Sequence, residues 1–291
     1  MKKLLLSAIV ALPLIVNAQK HHEIGITAAA STFYGDLQPN FIPEDNRLMR
    51  PSFGIIYKYF VNNHLGFRFA ANYINLTAAD SVSLNETYKK RNLSFTNRMG
   101  EIYGGIELNF LPVGGESRFK FTPYIFAGVG AFYGNPFAYD PKGEKHYLRD
   151  LRTEGQGLSQ YPDRKVYPLV NAAFPIGGGF KFFIGKTVML CGEVNLRYTS
   201  TDYIDDVSKT YVNLDTLSRY VSKEAAAMSY RGNEHYYWDG NYPNYKFQRG
   251  DFKGNDWYWT AGITATIYFD AFGNAKRYLQ SRCPRIFGRG Q

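Results

Sequence analysis

The residues of this sequence with the most chemistry open to them are five histidines, two cysteines and a tight group of aspartates, Asp202, Asp205 and Asp206. Carboxylate oxygens are the ligands a calcium ion prefers. This group lacks the mid-loop glycine and distal glutamate spacing of an EF-hand. It therefore reads as a solvated strand end, with a loop cation site as the alternative. His21 and His22 are adjacent, so on a strand they face opposite ways. His64 falls in a short turn, and His146 and His235 fall in long loops. No pair of histidines has helical metal-ligand spacing. No G-x-S-x-G elbow, HExxH pair or phosphate-binding P-loop occurs. Ser200 lies at a strand end, and His146 or His235 could serve it as a base, but nothing in the spacing fixes such a pair. The sequence predicts no catalytic residue, no cofactor and no metal.

The elements that must position these residues are strands. A strand shows its two faces at alternate residues, and a barrel wall in lipid needs apolar residues at every second position. From Leu65 to Ile74, the set Leu65, Phe67, Phe69, Ala71 and Tyr73 alternates with Gly66, Arg68, Ala70, Asn72 and Ile74. Phe53 to Val61, Glu101 to Phe110, Phe121 to Ala131, Ile176 to Ile184, Val188 to Tyr198 and Trp257 to Phe269 repeat the pattern, and His22 to Tyr34 opens it. Short connections, at Asn62-Asn63, Pro112–Arg118 and Gly185-Lys186, alternate strictly with long ones, at Asp36–Arg50, Thr77–Asn92, Gly134–Leu169 and Thr201–Gly254. These features predict an all-β fold. It is an eight-stranded antiparallel transmembrane β-barrel with short periplasmic turns and long extracellular loops. A soluble lipocalin-like barrel would reverse the two faces. Here the polar face carries charges of both signs at Lys58, Arg68, Glu101, Glu107, Glu193 and Arg197, which predicts ion pairs inside a filled lumen. Eight strands leave room for side chains and little else, so a conducting pore is not expected.

The cysteines follow from this frame. Cys191 falls on the inward face of the seventh strand, and a bridge to Cys283 would require the C-terminal tail to thread the lumen. Cys283 is then a lone thiol between Arg282 and Arg285, where positive charge favours the thiolate. An intermolecular disulfide with a periplasmic partner is the hypothesis this raises. The tail from Ala271 to Gln291 holds Lys276, Arg277, Arg282, Arg285 and Arg289 and no acid. It reads equally as a disordered extension or as a docking arm for an acidic partner or the inner leaflet. Thr201–Gly254 is rich in Tyr and Trp, which disordered segments lack. It is expected to fold over the barrel mouth, or to offer aromatic anchors to a partner.

The N-terminus reads as a secretory signal: Lys2 and Lys3, an apolar stretch from Leu4 to Val16, then Val16-Asn17-Ala18 before a cleavage point. The expected organisation is a signal peptide over 1–18, a barrel over 19–270 embedded in outer-membrane lipid, and a basic periplasmic tail over 271–291. The formal net charge is +9. Lys2, Lys3 and the five tail cations account for seven of those charges, so the excess belongs to the termini and does not suggest a nucleic-acid-binding face.

The order of several short motifs resembles one family. His22-Glu23-Ile24-Gly25 with Phe33-Tyr34-Gly35-Asp36-Leu37, then Asp202-Tyr203-Ile204-Asp205-Asp206-Val207-Ser208, Arg231-Gly232, Asp256-Trp257-Tyr258 and Cys283-Pro284 are similar to PorG-like proteins. Those are the outer-membrane barrel component of the type IX secretion system. The resemblance implies a structural part of a secretion machine. It also implies a periplasmic ring lipoprotein and its partner, PorK-like and PorN-like, as the proteins that the basic tail and Cys283 would meet. Two alternatives remain: an adhesin or integrity barrel acting through its loops, and a lipid-modifying enzyme at the rim.

Overall fold

The computed structural model describes residues 21–112, 120–184, 187–234, 243 and 247–269. Ten strands run in chain order as β1 (His21–Tyr34), β2 (Arg50–Phe60), β3 (Leu65–Ala79), β4 (Ser94–Asn109), β5 (Phe121–Tyr133), β6 (Phe137–Tyr139), β7 (Lys145–Tyr147), β8 (Val170–Ile184), β9 (Val188–Thr199) and β10 (Trp257–Phe269). Eight of them close one antiparallel sheet in the order β3-β2-β1-β10-β9-β8-β5-β4, with β3 pairing β4. The barrel is the predicted one. β6 and β7 are a small hairpin in the long connection from β5 to β8, tied to the wall where Phe137 pairs Thr96. At the end of the β2–β3 turn, Asn62 Oδ1 accepts the N–H groups of His64 and Leu65 at 2.9 and 2.6 Å. The turn residues Gly114-Gly115 and Gly185-Lys186 lie outside the described residues.

Why this sheet closes and where it sits follow from its two faces. Ile26, Ile55, Ile102, Val129, Ile176 and Ile263 point outward and are exposed, Ile26 by 67 % and Ile102 by 66 %. A continuous apolar belt of this size has no stable home in water. A closed sheet leaves no unpaired edge, which is the condition for strands to cross a bilayer. Outward aromatics border the belt. Tyr34 pairs Trp257, Trp257 pairs Tyr198 and Tyr198 pairs Phe174 around the long-loop end. Phe121 pairs Phe182 near the other end. Such girdles sit at the two membrane interfaces. No helix among the described residues is long and apolar enough to span a membrane.

The wall extends further than the alternation suggests. β3 runs to Ala79, into the expected loop Thr77–Asn92, and β4 starts at Ser94, well before the expected strand start at Glu101. The reason is an inversion of polarity. Beyond Tyr73 the inward residues become mostly apolar (Ile74, Leu76, Ala78, Phe95, Met99, all buried, with Asn97 bonded to the Ile204 carbonyl), while Asn75, Thr96 and Arg98 lie on the other face. Past the bilayer boundary the outside of the sheet meets water and the inside meets folded loops. The strands there follow the rule of a soluble protein.

Candidate functional site: a charge-filled lumen under a folded cap

The lumen is packed with ion pairs. Glu107, on β4, forms ion pairs with Lys58 at 2.9 Å, Arg68 at 3.2 Å and Lys181 at 2.5 Å. Arg68 continues to Glu193 at 2.9 Å, and its guanidinium carbon lies 3.6 Å from the centroid of the Phe126 ring. The ring has room because Gly177 faces it: a Cβ there would stand 2.6 Å from Phe126. Higher in the barrel, Arg197 donates to Glu101 at 2.7 Å, and Asn72 and Tyr258 also donate to that carboxylate. Sequence reasoning missed Glu23 and Lys181, which are buried and 3.4 Å apart. The signal was present, since Lys181 alternates with Phe180 and Phe182, and Glu23 precedes outward Ile24. With them, four lumen carboxylates (Glu23, Glu101, Glu107, Glu193) face four cations (Lys58, Arg68, Lys181, Arg197). The void among Arg68, Tyr103, Glu193, Arg197 and their neighbours measures about 20 Å³, little more than one water. Cys191 lies buried and unbridged against Tyr124 and Phe126.

Over the long-loop end all four long connections fold into one cap. Two arginines hold it. Arg91 grips Asp80 with two bonds of 2.7 Å and donates to the carbonyls of Asp36 at 2.9 Å and Arg249 at 2.7 Å. Those bonds join the first, second and fourth connections. Arg249 reaches the third: it donates to Glu154 at 3.1 Å, to the Asp206 carbonyl at 2.6 Å and to the Ser229 carbonyl at 3.2 Å. Glu154 also accepts the N–H groups of Ser208 and Lys209. Below these polar ties lies an apolar core of Phe33, Leu37, Leu76, Phe95, Leu148, Ile204, Val207 and Met228, which continues into the barrel mouth. Two short helices, Leu214–Tyr220 and Lys223–Ser229, bury Leu217 and Ala225 beside Leu158 and Val212. Their N-caps are Asn213 and Ser222, whose side chains accept backbone N–H groups of the first turn.

The aspartates expected to be a solvated strand end are not solvated. Asp205 and Asp206 are fully buried and Asp202 is half-buried. Asp205 accepts from the N–H groups of Val207 and Leu37, and Asp206 from the hydroxyls of Tyr167 and Thr153. The cap folds over them, which no local pattern could announce. Burial pushes the Asp36 carboxyl up to about 6, Asp206 to about 6 and Asp202 to about 8. Asp205 is driven well up by burial first and then by Asp256, Asp36 and Asp202, and Asp256 by burial first and then by Asp202 and Asp36. The three strand-end aspartates do not bring three ligand oxygens together. Ser200 Oγ accepts the N–H of Ala172 at 3.0 Å, and His146 Nε2 faces Asp140; no hydrogen bond joins Ser200 to His146. His235 lies outside the described residues, as do residues 1–18 and the tail residues Lys276, Arg277, Arg282, Cys283, Arg285 and Arg289. Among the described residues, the arrangement packs the lumen with ion pairs and folds the long connections over its mouth.

Comparison with solved structures finds bacterial outer-membrane barrels. Neisserial surface protein A is 10 % identical, with 85 % of this chain and 97 % of that chain covered, at a TM-score of 0.41. OprG from Pseudomonas aeruginosa is 10 % identical, with 87 % and 98 % covered, at 0.42. Ail, the attachment invasion locus protein of Yersinia pestis, is 10 % identical, with 86 % and 99 % covered, at 0.39. No curated protein matches the chain. The protein is an outer-membrane-type β-barrel. The family described as domain of unknown function (DUF6089) matches residues 2–220, and the chain belongs to it.

Proposed function

We propose that this protein is a non-enzymatic outer-membrane anchor that ties a periplasmic ring of a protein secretion machine, of the type IX kind, to the membrane. The observation that carries the reading is the sealed barrel. Its lumen is occupied by mutually paired charges and its mouth by a folded cap, so the wall holds position and does not conduct. Both β1 and β10 meet the short-turn end, where His22 pairs Phe269. A chain continuing from Phe269 therefore departs on that side, and the sequence that continues is the basic, cysteine-bearing segment 271–291. Lys276, Arg277, Arg282, Arg285 and Arg289 are the proposed docking charges, and Cys283 the proposed partner thiol. The PorG-like motif order supports a PorK-like lipoprotein and its PorN-like companion as the docking surface.

Deleting residues 271–291 tests this reading. The barrel should still insert, judged by its heat-modifiable migration, while ring proteins cease to co-purify and secretion falls. Unchanged co-purification and secretion refute it. A second reading, an adhesin or integrity barrel acting at the cell surface, draws on the pre-organised cap. It predicts the opposite division, with function lost on cap disruption and kept on tail deletion.

A further inference from the structure

The hairpin β6–β7 stands apart from the rest of the cap, because its polar face gathers metal ligands. Asp140 pairs with Glu144 across the turn, its N–H donating to the Glu144 carbonyl at 3.0 Å. His146 follows Glu144 by two residues and pairs Ala138. Alternation thus sets Asp140, Glu144 and His146 on one face of the hairpin. One ligand atom from each lies within 4.8 Å of the others. Sequence spacing hid the set because it forms across a hairpin and not along a helix.

Three details suit this face to a cation. First, Asp140 is held in place: its Oδ1 accepts the N–H groups of Lys142 and Glu144 at 2.9 and 2.8 Å, leaving Oδ2 toward the imidazole. The turn itself is fixed by Gly143, whose φ of +83° few other residues adopt. Second, the separation is right. Two ligands about 2.0–2.1 Å from one zinc ion at a tetrahedral angle stand about 3.3–3.4 Å apart. Asp140 Oδ2 and His146 Nε2 are 3.4 Å apart. Third, the nearest strand cation is turned away. Lys145 lies on the other face, its Nζ 3.9 Å from the Phe137 ring centroid and 4.3 Å from that of Tyr147. We propose that Asp140, Glu144 and His146 form a binding site for a divalent transition-metal ion of the zinc class. One nitrogen and two oxygens match that class. They do not supply the six to eight oxygens of a calcium site.

The test uses the full-length protein, purified in detergent without a polyhistidine tag. It is titrated with zinc sulfate by calorimetry and with cobalt(II) by absorption. The expected result is one saturable ion per chain in the micromolar range or tighter, with calcium giving none. His146→Ala and Asp140→Asn each should weaken binding by at least about tenfold, the scale on which even supporting residues act. His22→Ala should leave it unchanged. The cobalt spectrum of the wild-type protein reads the site without any variant, and heat-modifiable migration verifies that each variant is folded. Absence of saturable binding to wild-type protein overturns the proposal, as does binding that survives His146→Ala intact.

Discussion

Replacing Arg249 with Ala should open the cap and leave the barrel standing. The side chain is 2 % exposed and its carboxylate partner Glu154 is 0 % exposed. Removing the guanidinium leaves Glu154 buried without its cation, and Asp206, 3.8 Å from the Arg249 Nη2, loses its counter-charge as well. Breaking one side of such a buried pair costs about 3–5 kcal/mol. The carbonyls of Asp206 and Ser229 lose their donor in the same step. At about 1.4 kcal/mol for each tenfold change, amide protection in the cap should fall by about two to four orders of magnitude. The assay is hydrogen exchange on the protein in detergent, read separately for peptides from 201–234 and from the mid-wall strands. Heat-modifiable migration reports on the barrel. Arg249→Lys keeps the charge and loses the fork that reaches Glu154 and two carbonyls, so it should lie between wild type and Arg249→Ala. Unchanged cap protection would refute the assignment of Arg249 as the tie between loops. Equal loss in the mid-wall strands would refute the separation of cap from barrel.

Three further outcomes follow from the same geometry. Cap protection, corrected for intrinsic exchange, should fall as pH rises from 5 to 8. The opened cap ionises its aspartates near pH 4, whereas the closed cap holds Asp36 and Asp206 to about 6 and Asp202 to about 8, so stability present at low pH is lost through that window. A profile that rises instead, or that is not flattened by Asp202→Asn, contradicts this. Glu107→Gln should destabilise the barrel by about 3–5 kcal/mol in urea titrations in lipid vesicles, because three cations within 3.2 Å lose their shared carboxylate; an unchanged midpoint would show that the lumen pairs are not structural. Ile263→Lys, at the middle of β10 on the lipid face, should cost about 2–4 kcal/mol in the same titration, and no cost would place that face out of the bilayer.

What could be read from the sequence, and what could not, divides at the membrane boundary. Inside the bilayer every residue of a strand obeys one local rule, apolar outward at every second position. Phe67, Phe69 and Tyr73 against Arg68 and Asn72 could therefore be placed without any knowledge of neighbouring strands. Lumen charges followed from parity alone, and Lys181 and Glu23 were overlooked despite obeying it. Beyond the boundary the rule reverses, so Leu76 and Phe95, inward and apolar, look like errors in a strand whose apolar set pointed out. The cap obeys no period. Arg91 and the Arg249 carbonyl meet across 158 residues, and Glu154 and Arg249 across 95. Nothing near Asp205 in sequence says that Leu37 will donate to it.

That division bears on function. Among the described residues the lumen charges pair with one another, and the four long connections interlock over the mouth. If transport needed this lumen, Arg68, Lys58 and Lys181 would have to leave Glu107 and Glu193 in a low-dielectric interior, and Arg91 and Arg249 would have to release all four loops. Each step costs several kcal/mol, and no described residue is placed to offset it. In the proposed anchoring role the wall's contribution is geometric. It fixes a folded surface on one side of the membrane and the exit of the chain at Phe269 on the other. Under the proposed anchoring role, changes to either end should alter partner binding while leaving the strands between them unaltered.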